Sequence, residues 1–479
     1  GEHLTLLVTF GFFGFVMISG NILISALCGS TLRDYTPEGV VGKLQGVRMV
    51  FSVLLPMVFG PMIGNAINKA RNIPLPNLEN SADAMTTKYI PAPEIFLVAG
   101  LVCLLIFALL PILSSKIKHT GNSDRVVNRL KTDYEVGEIP HSEYPRPQCR
   151  RDSYLCLNGK WSFAKVKVEE VVKKFTSEIL VPFSPESLNS GIGEGFELRA
   201  GEKLVYERVF VVDESFLKAT TLLHFGAVDQ RCEVYVNGTL VGGHHGGYTP
   251  FTLDVSKVVK IGENILRVEC TDELDKYESA RGKQSANPKE IWYTAQSGIW
   301  QTVWLESVPE RYIRDLRIST SAKKRRVTVL SDYDGLQTIR VYDGDKEIAC
   351  ESFDNKTISI RANFELWSPE NPKLYIFTLE TESGDKVESY FGVRSFGMGK
   401  DEKGTPRLFL NEKPYFYNGV LDQGYWSDGL LTHPSDKAIE DELKLLKEMG
   451  FNMVRKHIKI EPLRWYYHCD RLGMLVWQD

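Results

Sequence analysis

Phe451-Asn-Met-Val-Arg-Lys-His457 and Met474-Leu-Val-Trp-Gln-Asp479 decide the fold of this chain, because each reads as a short strand placed directly after a helical signal. Upstream, Pro414-Tyr-Phe-Tyr-Asn-Gly-Val420 reads as a buried strand. Ser435 then offers its hydroxyl as a helix N-cap, Ile439, Leu443 and Leu446 fall on one face, and Gly450 ends the helix. Pro462 opens a second, aromatic helix through Trp465 and Tyr466, which stops at Gly473. The order is therefore βαβαβ. Parallel strands joined by such crossovers suit an open doubly wound sheet or an eight-stranded barrel, and in both the polar groups at the strand C-terminal ends face the ligand. Those ends are Asp422, Arg455, His457 and Asp479.

Ahead of this run, the periodicity is that of strands. Leu157-Asn-Gly-Lys-Trp-Ser-Phe163 begins a series of short alternating segments that suits a sandwich. Within it, Cys232-Glu-Val-Tyr-Val236 and Thr239-Leu-Val241 flank Asn237-Gly238, the dipeptide that best tolerates positive φ in a two-residue hairpin turn. A second all-β block runs from about Glu310 to Gly397. Between His119 and about Gln148 the chain is polar, mixed in charge and punctuated by Pro140, Pro145 and Pro147, as in a linker.

The N-terminal quarter differs again. Charges are absent from Leu4 to Leu32, from Met49 to Asn68 and from Ile95 to Ser115. Each run reaches the roughly 20 apolar residues that cross a bilayer as a helix, and each is longer than the apolar region of a signal peptide. Arg33, Lys43 and Arg48 flank the first connection, and Lys116, Lys118, Arg125, Arg129 and Lys131 follow the third run. Positive loops stay inside, so everything after Ser115 is expected on the cytoplasmic side of a multi-pass membrane protein, with membrane lipid as a partner through residues 4–115. No initiator Met precedes Gly1, and the chain reads as the interior of a longer reading frame.

A formal net charge of −4 gives no reason to expect a nucleic-acid partner. The eight Cys include no CxxC pair and match reduced thiols better than a disulfide framework. His244 and His245 are adjacent in a strand, so their side chains point apart and no metal site is expected there. Lys323-Lys-Arg-Arg326 reads as a solvated strand edge, and Asn237-Gly-Thr239 as a turn rather than a glycosylation acceptor.

Several of these residues carry a family resemblance. Leu410-Asn-Glu-Lys-Pro414, Asn452-Met-Val-Arg455, Cys469-Asp-Arg-Leu-Gly473 and Val476-Trp-Gln-Asp479 resemble the opening of the catalytic barrel in glycoside hydrolase family 2. Val205-Tyr-Glu-Arg-Val-Phe210, Val234-Tyr-Val-Asn-Gly238, Gly246-Gly-Tyr-Thr-Pro-Phe251 and Ser297-Gly-Ile-Trp-Gln-Thr-Val-Trp-Leu-Glu306 resemble its N-terminal jelly roll. Leu366-Trp-Ser-Pro-Glu-Asn-Pro-Lys-Leu-Tyr375 and Phe391-Gly-Val-Arg-Ser-Phe396 resemble its immunoglobulin-like domain. The N-terminal runs, with Tyr35-Thr-Pro-Glu-Gly-Val-Val-Gly-Lys43 and Phe59-Gly-Pro-Met-Ile-Gly64, resemble the last three helices of a major facilitator superfamily transporter.

The expected architecture is multidomain: transmembrane α-helices over 1–118, a linker over 119–148, a jelly-roll β-sandwich over 149–309, an immunoglobulin-like β-sandwich over 310–398, and an incomplete (β/α)8 barrel over 399–479. The resemblance implies a retaining β-glycosidase acting on a carbohydrate β-glycoside; no cofactor is expected, and the residues of this chain offer no metal site. It also implies that the acid/base and nucleophile Glu lie beyond Asp479, leaving this chain inactive alone. For substrate binding it points to Arg455 and His457. Asp422 and Trp426 follow the first strand, where a carboxylate and an indole suit a sugar hydroxyl and a pyranose face, and Asp479 ends the third. In galactosidases and glucuronidases of the family an Asp stands six positions before the Gly that Gly298 matches; here Trp292 stands there. Two other readings remain open: a carbohydrate-binding module without catalysis, and a sugar transporter with a β-rich cytosolic appendage.

Overall fold

A computed structural model describes Met62, Ala66 and residues 130–479 except Thr176, Glu194 and 274–279. The chain divides into two units, Gly1–Val126 and Val127–Asp479. Of the three apolar runs only Met62 and Ala66, both helical, are described; the rest of them, and with them the expected spans and the transporter-like segment, lie outside the described residues. Among the described residues no helix is long and apolar enough to cross a membrane.

In the second unit the first domain is a β-sandwich. One sheet runs in the order Ser177–Val181, Gly159–Lys167, Glu202–Val212, Gly262–Thr271, Arg231–Val236, Thr239–His245, all antiparallel. The facing sheet runs Tyr154–Cys156, Val303–Val308, Thr220–Phe225, Phe251–Asp254. The inward faces of the strands deliver Trp161, Phe163, Tyr206, Phe225, Val234, Leu266, Val268 and Leu305 to one core between them. Asn237 and Gly238 turn the expected hairpin at φ of 50° and 81°. The Asn237 side chain donates to Val258 O at 2.8 Å and Asn264 Oδ1 at 2.9 Å, so its amide serves the turn. Gly298 has φ of 77°, and a Cβ there would lie 2.0 Å from the buried Tyr206 hydroxyl.

The second sandwich pairs Leu316–Ser321, Arg326–Ser331 and Thr357–Arg361 against a sheet of Lys346–Phe353, Gln337–Asp343, Tyr375–Thr381 and Lys386–Phe391. Phe364, Tyr375, Phe377 and Phe391 pack edge-on and stacked in its centre.

The described part of the expected linker is packed rather than free. Thr132 donates to Asp428 Oδ2 from its amide (2.8 Å) and hydroxyl (2.7 Å), His141 Nε2 meets His433 O at 2.7 Å, and Tyr144 donates to Glu306. Its prolines stiffen a strap over buried polar groups; composition alone does not separate the two uses of such a sequence.

The C-terminal part has the expected βαβαβ order with one correction. Pro414 does not open a buried strand: Lys413–Pro414 turns back antiparallel on Phe409 and Leu410, and the first parallel strand is Gly419–Asp422. Proline lacks an N–H and is tolerated only at such an edge. Met453–Lys456 and Leu475–Gln478 complete a three-stranded parallel sheet. The first helix, Asp436–Glu448, starts where Ser435 Oγ accepts from Ala438 N at 3.1 Å, and the second, Leu463–Leu472, ends on left-handed Gly473. Ile439, Leu443, Val454, Trp465, Cys469 and Met474 close the helix side of the sheet. On the other side the aligned row Leu421, Arg455, Trp477 stands open, with Leu421 48% and Trp477 51% exposed. Three strands do not enclose a barrel.

Candidate functional site

The register of the parallel sheet sorts the strand-end residues onto two faces. Leu421, Arg455 and Trp477 share the open face, whereas Asp422, Lys456 and Gln478 form the next row, on the helix side. Arg455 donates through Nε to Asp479 Oδ2 at 2.7 Å, and both side chains are well exposed. Asp422 takes the opposite direction. Its carboxylate contacts Lys456 Nζ and accepts from Gly424 N at 2.7 Å.

Beneath Asp422 lies a group of buried charges. Lys456 Nζ is 2.7 Å from Glu461 Oε1, and Lys459 Nζ is 2.9 Å from Glu461 Oε2. Lys459 also donates to the carbonyls of Gly424 and Leu431, each at 2.7 Å, which fixes the loop after the first strand to the loop after the second. Burial depresses the Lys456 ammonium, but the neighbouring Glu461 and Asp422 outweigh it and hold the pKa above the usual lysine value. For Lys459 burial wins over Glu461 and the pKa falls. Burial, helped by Lys459 and Lys456, keeps His433 well below the ordinary histidine value. Glu442, facing the same cluster from the first helix, is pushed up to about 7 by burial and by Asp422.

His457 follows this strand. Its amide donates to Asp422 O at 2.9 Å, and its Nδ1 lies 3.1 Å from Gln423 Nε2, so it sits beside Asp422 at the mouth of the sheet. Trp426 points away from that mouth, edge-on to Tyr134 (6.1 Å) and His433 (5.6 Å). Of the five expected binding residues, the structure thus pairs Arg455 with Asp479, sets His457 beside Asp422, and packs Trp426 into the joint with the strap.

A segment of the first sandwich completes the mouth, and nothing in the strand pattern announces it. Gln284–Ser285 and Tyr293–Thr294 form a two-residue parallel pair, and Tyr293 stacks on Tyr425 at 3.8 Å with 7° between the rings. Gly282, at φ of 59°, approaches so closely that a Cβ would lie 2.8 Å from Ile458 O. Below, Gln284 donates to Asp229 Oδ2 (2.8 Å) and the Tyr248 hydroxyl (3.1 Å) and accepts from Gln296 N (2.7 Å). Glu186 accepts from the Ser297 hydroxyl at 2.6 Å and amide at 3.1 Å, and burial pushes it up to about 8. Burial, reinforced by Asp272, raises Asp229 as well. The joint also holds a cavity of about 90 Å³ lined by His141, Trp300, Thr432, His433, Glu461 and Arg464. That volume admits water but not a pyranose. Among the described residues no three His, Cys, Asp or Glu are arranged to hold a metal ion, and the six described cysteines are free.

Comparison with known proteins gives this geometry a context. Residues 195–309 match the sugar binding domain of glycosyl hydrolases family 2, and residues 312–394 match a further domain of glycosyl hydrolases family 2. A putative β-glucuronidase of Formosa agariphila is 26% identical over 283 residues, which is 54% of this chain and 32% of the relative. A β-galactosidase of Thermoanaerobacter pseudethanolicus is 26% identical over 299 residues, 57% of this chain and 39% of the relative. The chain therefore spans well under half the length of these curated relatives. Among solved structures, a β-glucuronidase from Ruminococcus gnavus in complex with D-glucaro-δ-lactam superposes with a TM-score of 0.58 at 20% identity, over 69% of this chain and 60% of that one. The β-D-glucuronidase of Dictyoglomus thermophilum gives 0.58 at 22%, over 70% and 59%. The second unit is thus β-rich and multidomain, with a fold similar to that of glycoside hydrolase family 2 proteins, and one family match falls on each sandwich.

Proposed function

We propose that this chain forms the substrate-binding front of a retaining β-glycosidase and holds a β-glycoside at the open mouth of its parallel sheet. The observation that carries the reading is the reach of one sandwich across the strand ends: Tyr293 lies on Tyr425, and Gly282 lies against Ile458. A sandwich that served only as a spacer would have no reason to place a polar-anchored, aromatic segment there. His457, Gln423 and Arg455 supply hydrogen-bond donors for sugar hydroxyls around the same opening, and Tyr293 supplies an aromatic wall.

Retaining hydrolysis needs a protonated carboxyl and a nucleophilic one about 5 Å apart. The carboxylates at these strand ends are each engaged by a cation: Asp422 by Lys456, Glu461 by Lys456 and Lys459, Asp479 by Arg455. Groups engaged in this way are held ionised and frame the opening rather than exchange protons with a substrate. On this reading the chain binds a β-glycoside without turning it over. Calorimetry of the chain against methyl β-D-glucuronide and β-D-galactoside, with parallel assay of the p-nitrophenyl glycosides, tests this. Saturable binding without release of nitrophenol is expected. Turnover abolished by replacing a carboxylate of this chain would refute the assignment of roles.

The charge-free runs within 4–115 support a further element, attachment to a membrane with the β domains on the cytoplasmic side and a sugar-transporter-like segment ahead of the hydrolase part. Carbonate extraction and protease protection of the chain expressed in vesicles test it.

A further inference from the structure

We propose that Trp292, with the Arg281 guanidinium over its indole, is a platform for the aglycone of the bound β-glycoside and so discriminates among substrates that share one sugar. The inference rests on the glycosidase reading above and adds to it a residue and a part of the substrate.

Its place follows from its neighbours. Arg281 precedes Gly282, which touches Ile458, and Trp292 precedes Tyr293, which lies on Tyr425. The two side chains meet between these clamps, with the guanidinium 5.3 Å from the indole centre. Backbone bonds hold the segment still: Tyr293 N donates to Lys283 O at 2.8 Å and Trp292 N to Lys289 O at 3.0 Å. Gln284 anchors it to Asp229 and Tyr248 beneath.

The indole itself is not part of any core. Trp292 is 41% exposed and Ile291 62%, whereas Tyr293 is partly covered and Ala295 buried. Exposure thus rises along the segment as it leaves the strand ends. On the glycosidase reading the sugar whose bond is cleaved sits at those ends, near His457 and Arg455, so the group on the solvent side is the aglycone. A flat apolar ring stacks on an aryl group or on the C–H face of a second sugar, and a cation over one face fixes the ring before the ligand arrives.

The test is calorimetry of the full chain with phenyl and methyl glycosides of the same sugar, in both the β-D-glucuronide and β-D-galactoside series. The wild type is expected to bind the phenyl glycoside more tightly than the methyl one. Trp292→Ala should weaken phenyl glycoside binding about tenfold and leave the methyl glycoside unchanged, while Trp292→Phe stays within about threefold of wild type for both. Unchanged thermal midpoints for the two variants show that the effect is not one of folding. A phenyl-to-methyl ratio that is the same in wild type and Trp292→Ala overturns the platform and leaves the glycosidase reading standing. Failure of the wild type to bind any of the four glycosides overturns both.

Discussion

Arg151 donates to Glu306 Oε2 at 2.8 Å through Nη1 while its Nε and Nη2 hold both oxygens of Asp385 at 2.9 and 2.8 Å. Glu306 belongs to the first sandwich and Asp385 to the second, so one buried guanidinium ties the two β domains together. Arg146, Tyr144 and the Trp304 indole also bond Glu306. Removing one partner of such a buried pair leaves an uncompensated charge. Arg151→Met is expected to lower the stability of the described unit by about 3–5 kcal/mol in urea denaturation. A loss below about 1 kcal/mol would show that the joint does not depend on this side chain.

Glu306 gives that joint a pH dependence of definite sign. Burial raises its carboxyl, but Arg146 and Arg151 among its neighbours outweigh burial and hold it at about 2. A depressed folded pKa stabilises above the unfolded value and is lost as pH falls toward the folded one. Denaturation midpoints measured between pH 5 and 2 should therefore decline more steeply for wild type than for Glu306→Gln, which starts lower and has this group's contribution already removed.

Glu186 acts in the opposite direction. Its folded pKa, pushed up to about 8 by burial, exceeds the unfolded value, so the folded form binds the extra proton and stability falls as pH rises through this range. Glu186→Gln keeps the shape and one acceptor for Ser297. It should match wild type near pH 4.5, gain on it steadily toward pH 8 and level off above. Thermal midpoints across that range check the slope; a constant difference would mean that Glu186 does not titrate there.

These charged networks show where the sequence is mute. The hairpin at Asn237-Gly238, the Ser435 cap and the stops at Gly450 and Gly473 are each written in one or two residues whose backbone demands are local, and the strands and helices follow them. The first parallel strand is less legible, because the aromatic run Tyr415-Phe-Tyr417 reads as a core strand while its residues join a hairpin to the sheet. Lys456 and Lys459 carry a legible signal of the buried network. Lys456 shares the buried side of its strand with Val454, and a buried ammonium requires carboxylates nearby. Arg281 to Thr294 could not be assigned to the site from sequence, since its contacts to Tyr425 and Ile458 join segments more than 100 residues apart.

Lys459 should govern the loop that frames the site. Its ammonium bonds Gly424 O and Leu431 O, so Lys459→Met frees two buried carbonyls and removes one partner of Glu461. The expected cost is about 3–5 kcal/mol, with faster hydrogen exchange confined first to residues 423–432 and weaker glycoside binding in proportion. Exchange that accelerates uniformly across both sandwiches would place the lysine in global stability instead.

Trp465 and Trp477 lie on opposite faces of the sheet and should respond very differently to truncation. Trp465 is wholly buried, packs against Val454 and lies 4.4 Å from Lys456 Nζ, so Trp465→Ala is expected to cost about 3–5 kcal/mol. Trp477 stands half exposed beside Arg455 on the open face, and Trp477→Ala should cost about 0.5 kcal/mol or less in this chain. The same substitution becomes costly wherever further strands cover that face, because the indole then enters a core. Comparing the two variants in this chain and in a longer one that supplies such strands separates a solvated surface from an interior awaiting its other half: a penalty for Trp477→Ala that stays small in both would mean that the open face is never covered.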